Sequence, residues 1–137
     1  CVEDYLVALR WVQKLGGVEE LISRSKKNLE IVMQWVAKTA WVDMLAKDPN
    51  TVSNTSICLQ ISDSKFIGLR ELDQRAFIKE IVALLAAEDV AFDIEGYRNA
   101  PPGFRIWGGG TVESTDIELA CAWLDWAYSN LKNSYYN

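Results

Sequence analysis

Apolar residues recur at helical intervals along the first fifteen or so positions. Leu6, Leu9 and Val12 share one face, and Tyr5, Ala8 and Trp11 widen it. Gly16-Gly17 predicts the stop, because glycine accepts the left-handed conformation of a helix end. A second helix is predicted over residues 18–37. Ile22, Leu29 and Val36 recur in one register, with Leu21, Val32 and Met33 beside them, while 23–28 is polar and charged. Its apolar face therefore lies mainly in its second half, and a helix of this length suits a connection between two packed bodies.

The pattern then changes period. Residues 46–56, AKDPNTVSNTS, are rich in turn formers and predict a loop. In ICLQI, Ile57, Leu59 and Ile61 alternate with polar positions, which predicts a strand. Asp73 is placed as N-cap of a helix over 74–88, with Phe77, Ile78, Ile81, Val82 and Leu85 on its buried face. VAFDI (90–94) alternates again, with Val90, Phe92 and Ile94 inward. FRIW (104–107) follows, with Phe104 and Ile106 inward. Thr115 and Glu118 have capping-box spacing and open a last helix. Its stripe of Ile117, Ala120, Cys121, Leu124, Tyr128 and Leu131 ends near Leu131, so 132–137 is expected to fray. The order α-α-β-α-β-β-α predicts an α+β body, a two-layer sandwich of a small, mostly antiparallel sheet with helices on one face.

Composition narrows the chemistry. The chain has 137 residues, 50% hydrophobic and 24% charged, which suits one globular domain. A net charge of −5 argues against a general grip on nucleic acid. There is no histidine, which excludes Ser-His-Asp and Cys-His triads within the chain. Cys1, Cys58 and Cys121 are far apart with no CxxC pair, so neither a disulfide framework nor a metal site is expected. Buried, inert thiols and a reducing, cytoplasmic setting follow. No run has the length of a membrane span and no signal peptide is visible. The chain opens on Cys1 rather than Met, already in a helical pattern, and is expected to be a piece of a longer protein.

The candidate chemistry sits in GYRNAPPGFRIWGGG, residues 96–110. If Phe104 and Ile106 face the core, Arg105 and Trp107 face the other way. Arg98 lies near the end of the preceding strand, with the stiff Pro101-Pro102 corner between the two arginines. Two readings stand. The arginines form a clamp for two anionic groups, since an oriented guanidinium binds carboxylate or phosphate bidentately. Alternatively they are surface residues paired with Asp93, Glu95 or Glu113. GGGT (108–111) has neither P-loop nor dinucleotide spacing, and is expected to let the chain pass close to a neighbour. SNTS (53–56) is expected to be a structural loop. Of the six tryptophans, Trp123 and Trp126 flank the last helical stripe and are expected to pack or to meet another domain or subunit.

GYRNAPPGFRIWGGGTVESTDIE, together with WLDWAY, resembles the C-terminal end of the phosphoserine aminotransferases. It is closest to the branch whose small domain carries a GYR-x-APPG-x-RIW segment. AKTAWVDMLAKDPNTVSNTSICLQI and CVEDYLVALRWVQKLGG also fit that branch, so the resemblance runs through essentially the whole chain. It implies a class V, fold-type-I transaminase dependent on pyridoxal phosphate. Such an enzyme moves an amino group between glutamate and 3-phosphohydroxypyruvate, giving 2-oxoglutarate and phosphoserine in serine biosynthesis. It implies a cytoplasmic homodimer whose cofactor lysine lies in a large domain. Residues 1–40 would be the end of that domain and the connecting helix, and 41–137 the small domain. By the same resemblance Arg105 binds the substrate α-carboxylate, and Arg98 the distal phosphate or the side-chain carboxylate of glutamate. Tyr97 stands where other members have a histidine on that distal anion, although the interval between the arginines is one residue longer here. A fragment of this kind would be inactive alone. A related transaminase of the alanine–glyoxylate type and a non-catalytic α+β ligand-binding module are the alternatives.

Overall fold

Gly16 and Gly17 separate the first two helices of the computed structural model, which describes residues 1–136. Both have positive φ, +123° and +83°, which an L side chain resists. Helix α1 spans Val2–Leu15 and α2 spans Val18–Val36. No residue of α1 is buried, whereas α2 buries Ser25, Asn28 and Val32. Strands β1 (Val42–Met44), β2 (Ser56–Ile61) and β3 (Gly103–Trp107) form an antiparallel sheet in the order β1-β2-β3. Between β2 and β3 lie a short helix α3 (Ser64–Ile67) and α4 (Glu71–Ala87), and α5 (Ser114–Tyr135) closes the fold. The α+β architecture read from the sequence is the observed one.

The alternation in β2 sets the core. Ile57, Leu59 and Ile61 are buried, and the register pairs Ile57 with Ile106 and Leu59 with Phe104 on the same face. Val32 of α2, Phe77, Ile78, Ile81 and Leu85 of α4, and Ile117, Leu124 and Tyr128 of α5 join that core. Trp41 stacks on Tyr128 with centroids 4.1 Å apart. The opposite face of the sheet carries Cys58, Gln60, Arg105 and Trp107 and is less covered, with Trp107 exposed. No described helix is long and apolar enough to cross a membrane.

Several expectations need correction. VAFDI does not form a strand: Asp89 and Asp93 adopt φ values of 55° and 54°, which break an extended run, and Phe92 is exposed rather than inward. What remains is a single bridge, Glu95 to Phe104, beside β3. The third strand is β1, three residues long and too short for alternation to show. Helix α4 starts at Glu71, ahead of Asp73, whose carboxylate instead accepts from Arg70 Nε at 2.7 Å. Helix α5 starts at Ser114 and has no side-chain cap bond, so the Thr115–Glu118 box does not form. It also continues past Leu131 to Tyr135, because Tyr135 meets Phe77 edge-on with centroids 4.9 Å apart. The fray expected at Asn137 lies outside the described residues. Of the thiols, Cys121 is buried, Cys58 is half-buried and Cys1 is exposed.

Candidate anion-binding site

Strand β3 aims Arg105. Its neighbours Phe104 and Ile106 are buried in the core, so its side chain leaves by the other face, opposite Cys58 of β2. The Arg105 amide donates to Ile94 O at 2.8 Å, which ties β3 to the segment entering the turn. The side chain is 22% exposed. Its guanidinium carbon lies 4.5 Å from the centroid of the Tyr97 ring. Nη2 is 3.7 Å from Asp93 Oδ2, longer than a hydrogen bond, and Asp93 itself is 93% exposed. Nε is buried and has no hydrogen-bond partner among the described residues. Arg105 is thus a fixed cation with an idle donor and one loose counter-ion.

Tyr97 is placed by its own turn. The Ala100 amide donates to Tyr97 O at 2.8 Å, closing the turn Tyr97–Ala100, and Gly96 donates to Gly103 O at 3.1 Å. Arg75 of α4 donates to Ala100 O at 3.1 Å, locking the turn to the helix layer. The tight corner therefore precedes the prolines, and Pro101-Pro102 lead from it into β3. Gly103 is required where the strands meet: a Cβ there would lie 2.2 Å from Leu59 O. Arg98 occupies the exposed part of the turn and makes no ion pair among the described residues. The structure therefore brings Tyr97 and Asp93 to Arg105, while Arg98 stays exposed on the turn. Of the ion-pair partners considered, Glu113 is taken by Arg24 instead.

A cleft of about 320 Å³ adjoins the cation. Asp93, Arg105 and Asp116 contribute charge, while Val90, Ile94 and Trp107 are among its apolar walls. Pyridoxal phosphate, which the resemblance implies, is held in transaminases through a lysine amine. None of the residues lining this cleft is a lysine. The cleft does not fit that group. Among the described residues no cluster of side chains could hold a metal ion.

The glycine run is a packing device, as its sequence suggests. A Cβ on Gly110 would lie 2.9 Å from Leu21 O of α2, so the loop needs glycine to pass. Arg24 Nε donates to Gly110 O at 2.8 Å. Asn28, fully buried, donates to Gly108 O and Val112 O at 3.1 Å each and accepts from Ser114 Oγ at 2.9 Å. Ser53 and Asn54 are likewise structural: Ser53 Oγ accepts from the amides of Thr55 and Ser56, and Asn54 donates to Ser25. Sequence reading missed Asn28 and also Asp125, whose two oxygens accept from Trp35 Nε1 at 2.8 Å and Trp41 Nε1 at 2.7 Å. The available signal for Asn28 was an uncharged amide in the polar stretch 23–28, one residue before Leu29 and four before Val32 of the apolar face. Trp123 and Trp126 meet edge-on with centroids 5.0 Å apart, and Trp126 is 40% exposed.

Comparison with known proteins bears out the resemblance. The chain is 38% identical over 130 residues to a phosphoserine aminotransferase of Methanosarcina mazei, and 39% identical over 132 residues to that of Methanosarcina barkeri. Each alignment covers 95% of this chain and 32% of the relative, so the chain spans about a third of their length. Among solved structures, a phosphoserine aminotransferase from Bacillus circulans subsp. alkalophilus superposes with a TM-score of 0.69 at 15% identity, over 88% of this chain and 30% of that one. Another, solved in work on radiation damage of its Schiff base, gives a TM-score of 0.67 at 13% identity, with the same coverage of both chains. These two speak for the fold. No family model matches the chain.

Proposed function

We propose, from kinship with the phosphoserine aminotransferases over a third of their length, that this chain is the substrate-anchoring C-terminal part of such an enzyme. The carrying observation is Arg105, a strand-fixed guanidinium with a buried, idle Nε and a loose, displaceable counter-ion. A carboxylate can take two of its donors in parallel, which supplies both affinity and orientation. On this reading Arg105 holds the α-carboxylate of glutamate, phosphoserine and their keto acids. Arg98, exposed on the adjoining turn, meets the distal phosphate or carboxylate.

Residues 1–40 are then the end of the large domain with the connecting helix, and 41–137 the small domain. The cofactor and its lysine belong to the remaining two thirds of the enzyme, which works as a homodimer and transfers an amino group between glutamate and 3-phosphohydroxypyruvate. Pyridoxal phosphate supplies the electron sink when bound there. The residues here hold the substrate still, where misplacement by about 1 Å can cost about 100-fold in rate. Alone, the chain is expected to have no transaminase activity, and turnover of glutamate with phosphohydroxypyruvate by the chain supplied with pyridoxal phosphate would overturn that statement.

The test is kinetic, in the intact enzyme. Arg105→Ala should raise KM for glutamate and for phosphohydroxypyruvate alike, by about 100-fold for a lost charge-assisted bidentate pair. Arg98→Ala should fall on the phosphorylated substrate most. An Arg105→Ala enzyme with unchanged KM for glutamate removes Arg105 from this role. An Arg98→Ala enzyme with undiminished use of phosphohydroxypyruvate points instead to a transaminase for unphosphorylated substrates.

A further inference from the structure

The cation that anchors the anion site is held by fewer polar contacts than its burial demands. Among the described residues its Nε has no hydrogen-bond partner, and the carboxylate of Asp93 stands off at 3.7 Å. Its direction therefore depends on what packs against it rather than on hydrogen bonds. One contact restricts it: the Tyr97 ring under the guanidinium at 4.5 Å. The ring is in turn fixed through its backbone. Ala100 N–H closes the turn on Tyr97 O, Gly96 N–H binds Gly103 O in the strand that carries Arg105, and Arg75 of α4 binds Ala100 O. The phenol hydroxyl takes no part in any of these bonds.

We propose that Tyr97 is a positioning residue for Arg105: its aromatic face, not its hydroxyl, sets the plane and direction in which the guanidinium presents its donors to a substrate carboxylate. The resemblance would have placed Tyr97 among the ligands of the distal anion. The geometry assigns it to the other end of the substrate, acting through Arg105. Cation–π attraction favours a guanidinium lying over a ring within about 6 Å, and an electron-rich phenol serves as well as or better than benzene. Stacking on one face leaves the in-plane N–H groups free, which is the arrangement bidentate binding needs. The proposal rests on the reading of Arg105 as the carboxylate anchor.

The experiment uses the intact enzyme that contains this chain, in three forms: wild type, Tyr97→Phe and Tyr97→Leu. Tyr97 is 64% exposed, so neither substitution opens a cavity in the core. The first measurement is the Arg105 Nε–H resonance, which the ring current of Tyr97 displaces. The second is titration with O-phosphoserine, followed on the same resonance. Tyr97→Phe should keep the displaced resonance and the affinity. Tyr97→Leu should lose the displacement and bind phosphoserine roughly tenfold more weakly, the scale of a partly desolvated cation–π contact. If Tyr97→Leu leaves both readings unchanged, or if Tyr97→Phe weakens binding as much as Tyr97→Leu, the proposal is overturned, the second result making the hydroxyl a ligand. If wild type shows the displaced resonance, lost in Tyr97→Leu, but no response to phosphoserine, the positioning contact stands and the carboxylate-anchor reading fails.

Discussion

The side-chain amide of Asn28 donates to the carbonyl of Gly108 at 3.1 Å, joining α2 to the loop that leaves β3 across 80 positions of sequence. The same amide reaches Val112 O, and its oxygen accepts from Ser114 at the start of α5. One buried polar side chain therefore fixes the exit of the strand that carries Arg105 and the entry of the last helix. A buried amide of this kind is tolerated because its donors and acceptor are matched.

Asn28→Ala should destabilise the fold by about 3 kcal/mol, since it strands the carbonyls of Gly108 and Val112 and the Ser114 hydroxyl together. The urea midpoint should fall with little change in slope. Asn28→Asp should be comparably damaging, because a carboxylate has no donor for those carbonyls. A midpoint within error of wild type for Asn28→Ala would mean that the loop is held by Arg24 and glycine packing instead.

Most of the helices, β2 and β3 are legible because each carries an apolar period, as in Ile57, Leu59 and Ile61 or Phe104 and Ile106, although the polar run 23–28 interrupts that of α2. The failures have physical causes. VAFDI carries Val90, Phe92 and Ile94 at alternate positions, yet the positive φ of Asp89 just before it and of Asp93 within it breaks the extended run, leaving only the contact of its end with β3, and alternation carries no information about backbone sign. β1 is recruited by pairing with β2, Val42 to Ile61, rather than by its own pattern. The arginine pair was visible as charge and spacing. The ring beneath Arg105 was not, because it depends on a turn that closes at Ala100 before the prolines that drew attention.

Asp93 competes with any anion for Arg105. It lies 3.7 Å from Nη2 and is 93% exposed, so its hold is weak and readily exchanged. Asp93→Asn should tighten binding of O-phosphoserine by about threefold at low salt, with the advantage shrinking as ionic strength rises. Titration calorimetry or resonance shifts at two salt concentrations would read it. Weaker binding in Asp93→Asn would mean that Asp93 orients Arg105 rather than competing for it.

Asp125 holds two indoles at once, Trp35 from α2 and Trp41 just before β1, with Trp41 8% exposed. Asp125→Ala leaves both N–H groups without an acceptor and should cost about 3 kcal/mol. Asp125→Asn keeps one acceptor oxygen and should cost less. Tryptophan emission should shift toward the red in Asp125→Ala as the Trp35–Trp41 edge contact, 5.9 Å between centroids, loosens. Equal stability of the two variants would locate the effect in charge rather than in acceptor number.

Acid and alkali should strain the same corner, where Tyr128 donates to Asp63 Oδ2 at 2.7 Å and meets Tyr136 at 3.2 Å. Burial alone would raise the Asp63 carboxyl, but the hydrogen bonds from Tyr128 and from the Lys65 and Phe66 amides outweigh it, and the net shift is downward. A depressed carboxyl contributes stability above its unfolded value, near about 4, and loses it as pH falls through the folded value. Tyr128 moves the other way: burial, then its bonds to Tyr136 and Asp63, push the phenol far up. Tyr135 is pushed up to about 12, by burial and by its bond to Glu80. Raised phenols contribute stability that is full below the unfolded value, about 10, and drains as pH rises toward the folded values. The phenolate absorbance of the native chain should therefore still be incomplete near pH ~12, where an ordinary phenol is almost fully ionised, and should complete only as the protein unfolds. Tyr128→Phe should reduce the acid-side dependence on Asp63, leaving the Lys65 and Phe66 amides, and flatten the stability profile below the unfolded carboxyl value of about 4. Full phenolate signal from the native fold near pH ~12, or an acid limb unchanged by Tyr128→Phe, would show that this corner is more open to water than its geometry states.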